Sequence, residues 1–192
     1  MNSMDASAGA TPLDPDETDG LRLAWVTTRE DLNRVEAAGI ANALGQSRWY
    51  RMPRSKLLDD LELRKLHRAM FQDVWSWAGK YRTTERNIGI RPDAISVAVV
   101  DLLEDCALWF DDGPTDEHGA RLHHRLVSIH PFPNGNGRHA RAFTDLVLLS
   151  SGAPAFTWGS GSSRDDVRQR YLQALRRADA GNLDSLIEFV RS

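Results

Sequence analysis

The chain has 192 residues, enough for one globular domain with a substantial buried core. Its apolar and charged fractions, 41% and 27%, are those of an ordinary soluble protein, and a formal net charge of −3 does not favour a nucleic-acid or membrane-surface partner. The sequence has no apolar run long enough to span a bilayer and no secretory leader pattern. A lone cysteine excludes an intrachain disulfide, so we expect a cytoplasmic protein.

The charged residues are unevenly distributed along the chain. The first 20 residues contain five acids and no Lys or Arg, whereas the remainder has 22 acids and 24 bases. Residues 1–20 are also rich in Ala, Gly and Pro and have little to bury, so we predict a flexible acidic arm there. Residues 21–192 are predicted to form a single domain, whose slightly basic balance suits an anionic small-molecule ligand.

Apolar residues recur at three- and four-residue steps along most of the chain, which predicts a mainly α-helical fold. The first predicted helix is capped by Thr27 or Thr28 and reaches Ala43, and the second runs from Ser55 to Gly79. Further helices are predicted over 93–110, 116–129, 138–151, 165–180 and 183–190. Cys106 lies on the apolar stripe of the helix over 93–110, so a core position is the simplest interpretation and a reactive thiol the alternative.

Residues 79–90 have a different character. In Gly79-Lys-Tyr-Arg-Thr-Thr-Glu-Arg-Asn-Ile-Gly-Ile90, β-branched and aromatic residues stand between glycines. This pattern predicts a short β-hairpin or an extended flap. The expected fold class is therefore mainly α, a helical bundle with one short β-hairpin flap.

The most informative stretch is His130-Pro-Phe-Pro-Asn-Gly-Asn-Gly-Arg-His-Ala-Arg141. Its Gly-Asn-Gly turn allows backbone N–H groups to point outward, and a helix beginning directly after the turn favours an anion at the same position. Arg138 and Arg141 are three residues apart, so on such a helix they would share one face and could bind one polyphosphate. A neutral imidazole at His130 could accept a proton near pH 7 and activate a hydroxyl for in-line attack on phosphorus. The alternative is a structural loop with an exposed histidine, which the convergence of all these groups within twelve residues disfavours.

This stretch resembles the signature of the Fic (Fic/Doc) family, His-x-Phe-x-(Asp/Glu)-Gly-Asn-Gly-Arg-x-x-Arg. The resemblance extends over nearly the whole chain from about Gly9. Trp77-Ala-Gly-Lys-Tyr-Arg-Thr83 is similar to the entry into the family's flap, and Tyr171-Leu-Gln-Ala-Leu-Arg-Arg-Ala-Asp-Ala-Gly181 with Leu186-Ile-Glu-Phe189 to its closing helices. The opening Gly9-Ala-Thr-Pro-Leu-Asp14 and the chain size are similar to the Fic subgroup called mobile mystery protein B.

The resemblance implies a Fic-type helical domain that transfers AMP from ATP to a Ser, Thr or Tyr hydroxyl of a target protein, as a bacterial toxin-like modifier. By the same resemblance, His130 is the catalytic base, and Gly135, Asn136 and Gly137 form the anion hole for the α- and β-phosphates. Arg138 would hold the β-phosphate and Arg141 the γ-phosphate. The flap, with Thr83, Thr84, Asn87 and Ile88, would align the target main chain by strand addition.

Asn134 departs from the family signature, which has an acidic residue there that helps to hold Mg²⁺. A neutral amide oxygen is a poorer ligand for a hard cation than a carboxylate. The sequence therefore allows weaker metal binding, slower AMP transfer or a different nucleotide donor. It also allows the alternative that the protein binds a nucleotide but has little catalytic activity. A non-enzymatic partner in a toxin–antitoxin or mobile-element pair is the alternative from another class. The intact Gly-Asn-Gly-Arg disfavours the Doc-type phosphate-transfer variant.

Glu36 has two interpretations. As a glutamate on a helix it is most simply a solvated surface residue. Many Fic proteins, however, have an inhibitory helix with the pattern Ser/Thr-x-x-x-Glu-Gly/Asn, and Leu32-Asn-Arg-Val-Glu36-Ala has the glutamate without either flanking match. The resemblance therefore makes Glu36 an inhibitory candidate that would pair with Arg141.

Other polar and aromatic residues have simpler interpretations. His123 and His124 could suggest a metal cluster with His130 and His139, but no metal-binding spacing supports one, so satisfied positions on the preceding helix are expected. Residues 158–163 form a predicted flexible loop that could border the adenine, as could Tyr171. The sequence does not identify the target protein, the oligomeric state or a separate antitoxin.

Overall fold

The structure is a computed structural model that describes residues 18–160 and 164–192, the last segment with side chains from residue 166 onward. The predicted flexible arm, residues 1–20, lies outside this range as far as residue 17, whereas the Thr18 and Gly20 carbonyls accept hydrogen bonds from Leu21 and Ser76. Within it the chain is mainly α-helical, as predicted. The helices are α1 (Arg29–Leu44), α2 (Ser47–Tyr50), α3 (Arg54–Leu57), α4 (Asp60–Phe71), α5 (Ile95–Asp111), α6 (Asp116–Ile129), α7 (Asn136–Ser150), α8 (Arg164–Asp179) and α9 (Asp184–Val190), with a 3₁₀ turn at Pro92–Ala94 before α5.

Three helices begin at side chains that cap them. The Thr28 hydroxyl accepts a hydrogen bond from the Asp31 N–H at 3.2 Å, and the Thr115 hydroxyl accepts one from the His118 N–H at 3.1 Å. Asp59 accepts from the N–H groups of the first turn of α4. Each cap satisfies donors that the helix itself leaves unpaired, and for this reason α1, α4 and α6 begin at these positions.

The single helix predicted from Ser55 to Gly79 is wrong, because it is interrupted once and ends before Gly79. The chain leaves the helical conformation at Leu58, Asp59 caps a new helix, and α4 ends at Phe71. Beyond Phe71 the backbone pairs with the segment before α1: the Arg22 N–H donates to the Val74 carbonyl at 2.8 Å, and the Ser76 N–H to the Gly20 carbonyl at 2.9 Å. Val74 and Trp75 are buried by this pairing, so their apolar spacing imitates a continuing helix.

The predicted β-hairpin is also absent, since residues 79–91 contain no strand. Their backbone is held by the Arg82 side chain instead of by a ladder between strands. Arg82 is buried, and its guanidinium donates to the carbonyls of Thr84 and Ile90 within the segment and of His130 at 2.7 Å outside it. The extended flap, the other interpretation of this stretch, describes the observed segment.

The core surrounds α7, which packs against α6, α4 and the short helices α2 and α3. α1 packs on α4, and α9 packs on α6 and α8. Because α6 and α7 are consecutive and pack together, residues 130–135 lie at one end of this pair. Among the described residues, no helix combines the length and apolar character needed to cross a membrane.

The core also buries the side chains of His67, His123 and His139 completely. Desolvation is the largest cause that lowers their pKa values from 6.5, to about 3 for His123, to about 4 for His139 and well below 6.5 for His67. These rings are therefore neutral in the folded protein at pH values where the unfolded chain already protonates them.

We predict that the free energy of unfolding decreases as the pH falls from about 6.5 to about 5. In this window the unfolded state binds protons at these histidines and the folded state does not, so each can contribute up to about 1.4 kcal/mol per pH unit. Denaturant titrations at a series of pH values measure this slope. A free energy of unfolding that stays constant between pH 5 and 6.5 would contradict the prediction.

Candidate active site

The loop between α6 and α7 is closed by the side chain of Asn136. The Phe132 N–H donates to Asn136 Oδ1 at 2.9 Å, and Asn136 Nδ2 donates to the Phe132 carbonyl at 2.8 Å. Phe132 itself is fully buried and anchors the loop in the core. The Asn136 side chain is thus committed to the loop, so only its backbone N–H can face an anion.

Gly135 and Gly137 in the turn differ in what their neighbours allow. Gly135 has φ +80°, and a Cβ there would lie 2.6 Å from the Phe71 ring, so the backbone requires glycine. At Gly137 an added Cβ would make only an ordinary van der Waals contact, with the Tyr171 hydroxyl at 3.7 Å, so the backbone there does not require glycine.

α7 begins directly after Gly135, whose carbonyl accepts from the His139 N–H at 2.9 Å. The N–H groups of Asn136, Gly137 and Arg138 form the first turn, where a helix has no acceptors of its own and favours an anion. The Gly135 N–H is already bonded to Asn134 Oδ1 at 2.7 Å. Of the predicted anion hole of Gly135, Asn136 and Gly137, the Gly135 N–H therefore already has a partner within the loop.

His130 follows the last residue of α6 in a left-handed conformation with φ +53°. Its Nδ1 is buried without a hydrogen bond of standard geometry, although the Val127 carbonyl lies close enough to favour the protonated ring. Desolvation, together with the positive charges of Arg82 and Arg86, outweighs that carbonyl and lowers the pKa of His130 from 6.5. The ring is neutral near pH 7, and Nε2 is the nitrogen left to accept a proton.

The flap segment lies beside His130. The Arg82 N–H donates to the Pro131 carbonyl at 2.9 Å, and Gly89, with φ +98°, approaches so closely that a Cβ there would lie 2.6 Å from His130 Cβ. The flap positions Thr83, Thr84, Asn87 and Ile88 are exposed, and 60% of Ile88 is accessible. The structure thus brings the predicted target-aligning residues next to the predicted base, without a strand.

Arg138 and Arg141 contact different neighbours. Arg138 pairs with the buried carboxylate of Glu36 at 2.8 Å and lies over the Phe71 ring, whereas Arg141 lies over the Tyr171 ring of α8. Glu36 Oε1 also accepts from the Trp75 indole N–H at 2.7 Å. Glu36 is therefore a buried residue and not a solvated one, and its partner is Arg138 rather than Arg141.

The other polar and aromatic candidates have structural partners. The Tyr171 hydroxyl and His123 Nε2 are 2.9 Å apart, His124 Nε2 is 2.8 Å from Asp179, and the Trp158 indole donates to Asp145 at 2.9 Å. Cys106 is buried, and burial raises its pKa to about 12, which fits a core residue. No group of three or more His, Cys, Asp or Glu side chains in the described part of the chain could hold a metal ion.

The donor set in the loop does not fit Mg²⁺ held by the protein. A site for this ion on a nucleotide normally includes one or two carboxylates. Asn134 offers a neutral oxygen that already accepts the Gly135 N–H, and the nearby carboxylate of Glu36 is engaged by Arg138 and Trp75.

His67 is a site residue that the sequence interpretation missed. Its Nδ1 accepts from the Gly79 N–H at 3.0 Å, so Nε2 carries the proton and donates to the Asn134 carbonyl at 3.1 Å. The ring also stacks on Phe132 with 3.7 Å between ring centroids. One neutral imidazole on α4 thus joins the start of the flap to the loop. Its position on the apolar face of α4 gave no sequence signal for this role.

Comparisons with known proteins agree with this architecture. The model of the Fic/DOC family matches residues 57–148, and this part of the chain is a Fic/DOC family domain. The protein adenylyltransferase fic-1 of Caenorhabditis briggsae is 32% identical over 118 residues, which are 59% of this chain and 22% of that protein. The chain thus spans about a fifth of the length of the curated relatives that it matches first.

Solved structures with a similar fold cover most of the chain. Fic-1 from C. elegans aligns with a TM-score of 0.65 at 24% identity, over 93% of this chain and 54% of that one. The N-terminal Fic domain of a Bartonella quintana effector protein, solved with bound ADP, aligns with a TM-score of 0.67 at 17% identity, over 88% and 86%. At these identities the similarity establishes the fold.

We predict that His67→Phe lowers the free energy of unfolding by about 2–6 kcal/mol. The variant keeps a ring against Phe132 but leaves the Gly79 N–H and the Asn134 carbonyl without their partner, at about 1–3 kcal/mol for each group. Denaturant unfolding measures the loss, and hydrogen exchange at Gly79 should become faster. His124→Phe, which removes only the partly exposed bond to Asp179, is the matched control. Equal losses in the two variants would contradict a special role for His67.

Proposed function

We propose that this chain is a protein adenylyltransferase, which transfers AMP from ATP to a Ser, Thr or Tyr hydroxyl of a target protein. The observation that carries the proposal is one short loop in a Fic/DOC domain. It joins a half-buried neutral histidine to the free N–H groups at the start of α7. The curated relatives named protein adenylyltransferases support the same activity.

In the proposed reaction, the target hydroxyl oxygen attacks the α-phosphorus of ATP and its proton passes to His130 Nε2. The new O–P bond forms as the bond from the α-phosphorus to the bridging oxygen breaks, and pyrophosphate leaves. The first-turn N–H groups of α7 and the guanidinium of Arg138 would stabilise the negative charge, and Arg141 would bind the terminal phosphate. The flap beside His130 would hold the target backbone so that the hydroxyl reaches the imidazole.

We also propose that Glu36 holds the enzyme in an inhibited state. A phosphate cannot engage both amino groups of the Arg138 guanidinium while the Glu36 carboxylate is bonded to one of them, and the two anions repel each other. The inhibitory group lies on α1 of the same chain, which favours control in cis over control by a separate antitoxin.

A second candidate function is nucleotide binding with weak or no transfer. Two observations favour it: Asn134 supplies no carboxylate for a metal ion, and Glu36 occupies an arginine expected to bind phosphate. A cytoplasmic location, toxin-like action, a role in a mobile-element pair and the mobile mystery protein B subgroup remain proposals that rest on the sequence. The subgroup rests partly on residues 9–14, which lie outside the described range.

We predict that incubation with ATP adds the mass of one AMP to a target protein or to the chain itself. The addition should disappear in His130→Ala and persist in His118→Ala, a histidine outside the loop, because only His130 can accept the hydroxyl proton. Mass spectrometry measures the adduct, and calorimetry measures ATP binding with and without Mg²⁺. Tight ATP binding without an adduct would select the second candidate, and no ATP binding would contradict both.

We predict that Glu36→Gln increases ATP affinity about tenfold and raises the rate of AMP transfer. The amide can still accept the Trp75 bond but no longer neutralises Arg138, and charged hydrogen bonds of this kind contribute about 1.5–3 kcal/mol. Glu62→Gln is the matched control, since Glu62 is also buried and pairs with Lys65 on α4. Unchanged transfer and self-modification in Glu36→Gln and in Glu36→Gly would remove the inhibitory role.

A further inference from the structure

A cavity of about 570 Å³ lies between α4 and the segment 72–80, and no residue of the 130–141 loop lines it. We call it the basic groove. Its charged lining consists of five bases and one acid: Arg22, Arg64, Lys65, Arg68, Lys80 and Asp73. Neither the proposed AMP transfer nor the packing of the core uses these bases.

Three of the bases have no acidic partner among the residues that the structure describes. Arg64 pairs with Asp60 at 2.9 Å and Lys65 with Glu62 at 2.8 Å, but no described carboxylate pairs with Arg22, Arg68 or Lys80. These three side chains belong to exposed residues around one concavity. Their charges therefore add to a local positive potential that an anionic ligand can neutralise.

The composition of the basic groove suits a peptide better than a nucleic acid. The whole chain has a net charge of −3, which repels a long polyanion beyond the groove. The groove also contains the exposed Leu61, which offers an apolar contact to a peptide side chain. Its aromatic residue, Trp75, is buried and cannot stack on a base. A short segment of mixed Asp, Glu and apolar side chains complements this surface.

The basic groove is continuous with the flap. Gly79 lines the groove and is bonded to His67, and three residues later Arg82 donates to the His130 carbonyl. Three residues of extended chain span at most about 11 Å. A bound segment could therefore lie in the groove while a hydroxyl a few residues away along the same polypeptide reaches His130.

We infer that the basic groove binds an acidic segment of the target protein and selects targets with clustered Asp and Glu near the modified hydroxyl. The role in selection rests on the proposed AMP transfer. Binding of an acidic peptide in the groove does not depend on nucleotide or on catalysis, so it can be tested separately.

The test uses a fluorescein-labelled 12-residue peptide with six Asp or Glu residues and one Ser. Its binding to the full chain without ATP is followed by fluorescence anisotropy. Arg68→Gln/Lys80→Gln should weaken binding about five- to tenfold, since each exposed ion pair contributes a factor of about five at most. Arg168→Gln/Arg176→Gln is the matched control, because it removes the same charge from a second basic cavity on α8. Circular dichroism verifies that both variants fold.

Binding that weakens in the groove variant and at high salt, but not in the control variant, supports the inference. Equal weakening in both variants, or equal binding of a peptide with Asn and Gln in place of the acids, overturns it. If a single-stranded DNA of the same charge competes for the groove as effectively as the unlabelled peptide, the inference is overturned in favour of a nucleic-acid ligand. If the peptide binds only after the substitutions Asp14→Asn/Asp16→Asn/Glu17→Gln, the inference is also overturned, because the groove would then bind acidic residues of the same chain.

AMP transfer is measured separately on the same variants. If no transfer occurs in any variant while the groove still binds the acidic peptide, the proposed function fails and the binding site remains. If transfer proceeds and the peptide does not bind, the groove inference alone fails. For a peptide that is modified, the groove variant should raise KM and leave kcat unchanged.

Discussion

The reciprocal pair of hydrogen bonds between the Asn136 amide and the Phe132 backbone is the constraint on which the candidate site depends. These bonds give the loop one shape, with the Phe132 ring in the core on one side and the start of α7 on the other. His130 and the N–H groups of α7 are consequently placed by backbone geometry. A site organised in this way is preorganised, so little reorganisation would accompany the charge that develops in the proposed transfer.

Arg82 extends the same constraint to the flap. Its buried guanidinium donates hydrogen bonds to carbonyls of the flap and of the end of α6. These bonds hold the flap in place, as hydrogen bonds between strands would in a hairpin. The flap keeps exposed backbone and exposed side chains beside the histidine. A segment without strand partners of its own can pair with a strand from another polypeptide, which suits the proposed role in target alignment.

The sequence was sufficient for the features that depend on neighbouring residues. The cap at Thr28, the helical class and the loop from His130 to Arg141 all have local signals. The sequence was insufficient where a side chain has a distant partner. Glu36 pairs with Arg138, 102 positions away, and the burial of Val74 and Trp75 outside a helix depends on the segment around Gly20. Periodicity cannot distinguish a buried turn from a buried helix, so the long second helix was wrong.

Trp75 belongs to two neighbourhoods at once. Its indole N–H holds the carboxylate of Glu36, and the same residue lines the basic groove. Thermodynamic linkage is reciprocal. If a ligand in the groove prefers one position of the indole, it changes the stability of the Glu36–Arg138 pair. The pair then changes the free energy of ligand binding by the same amount. Through this one side chain, the basic groove and the Glu36–Arg138 pair lie one residue apart.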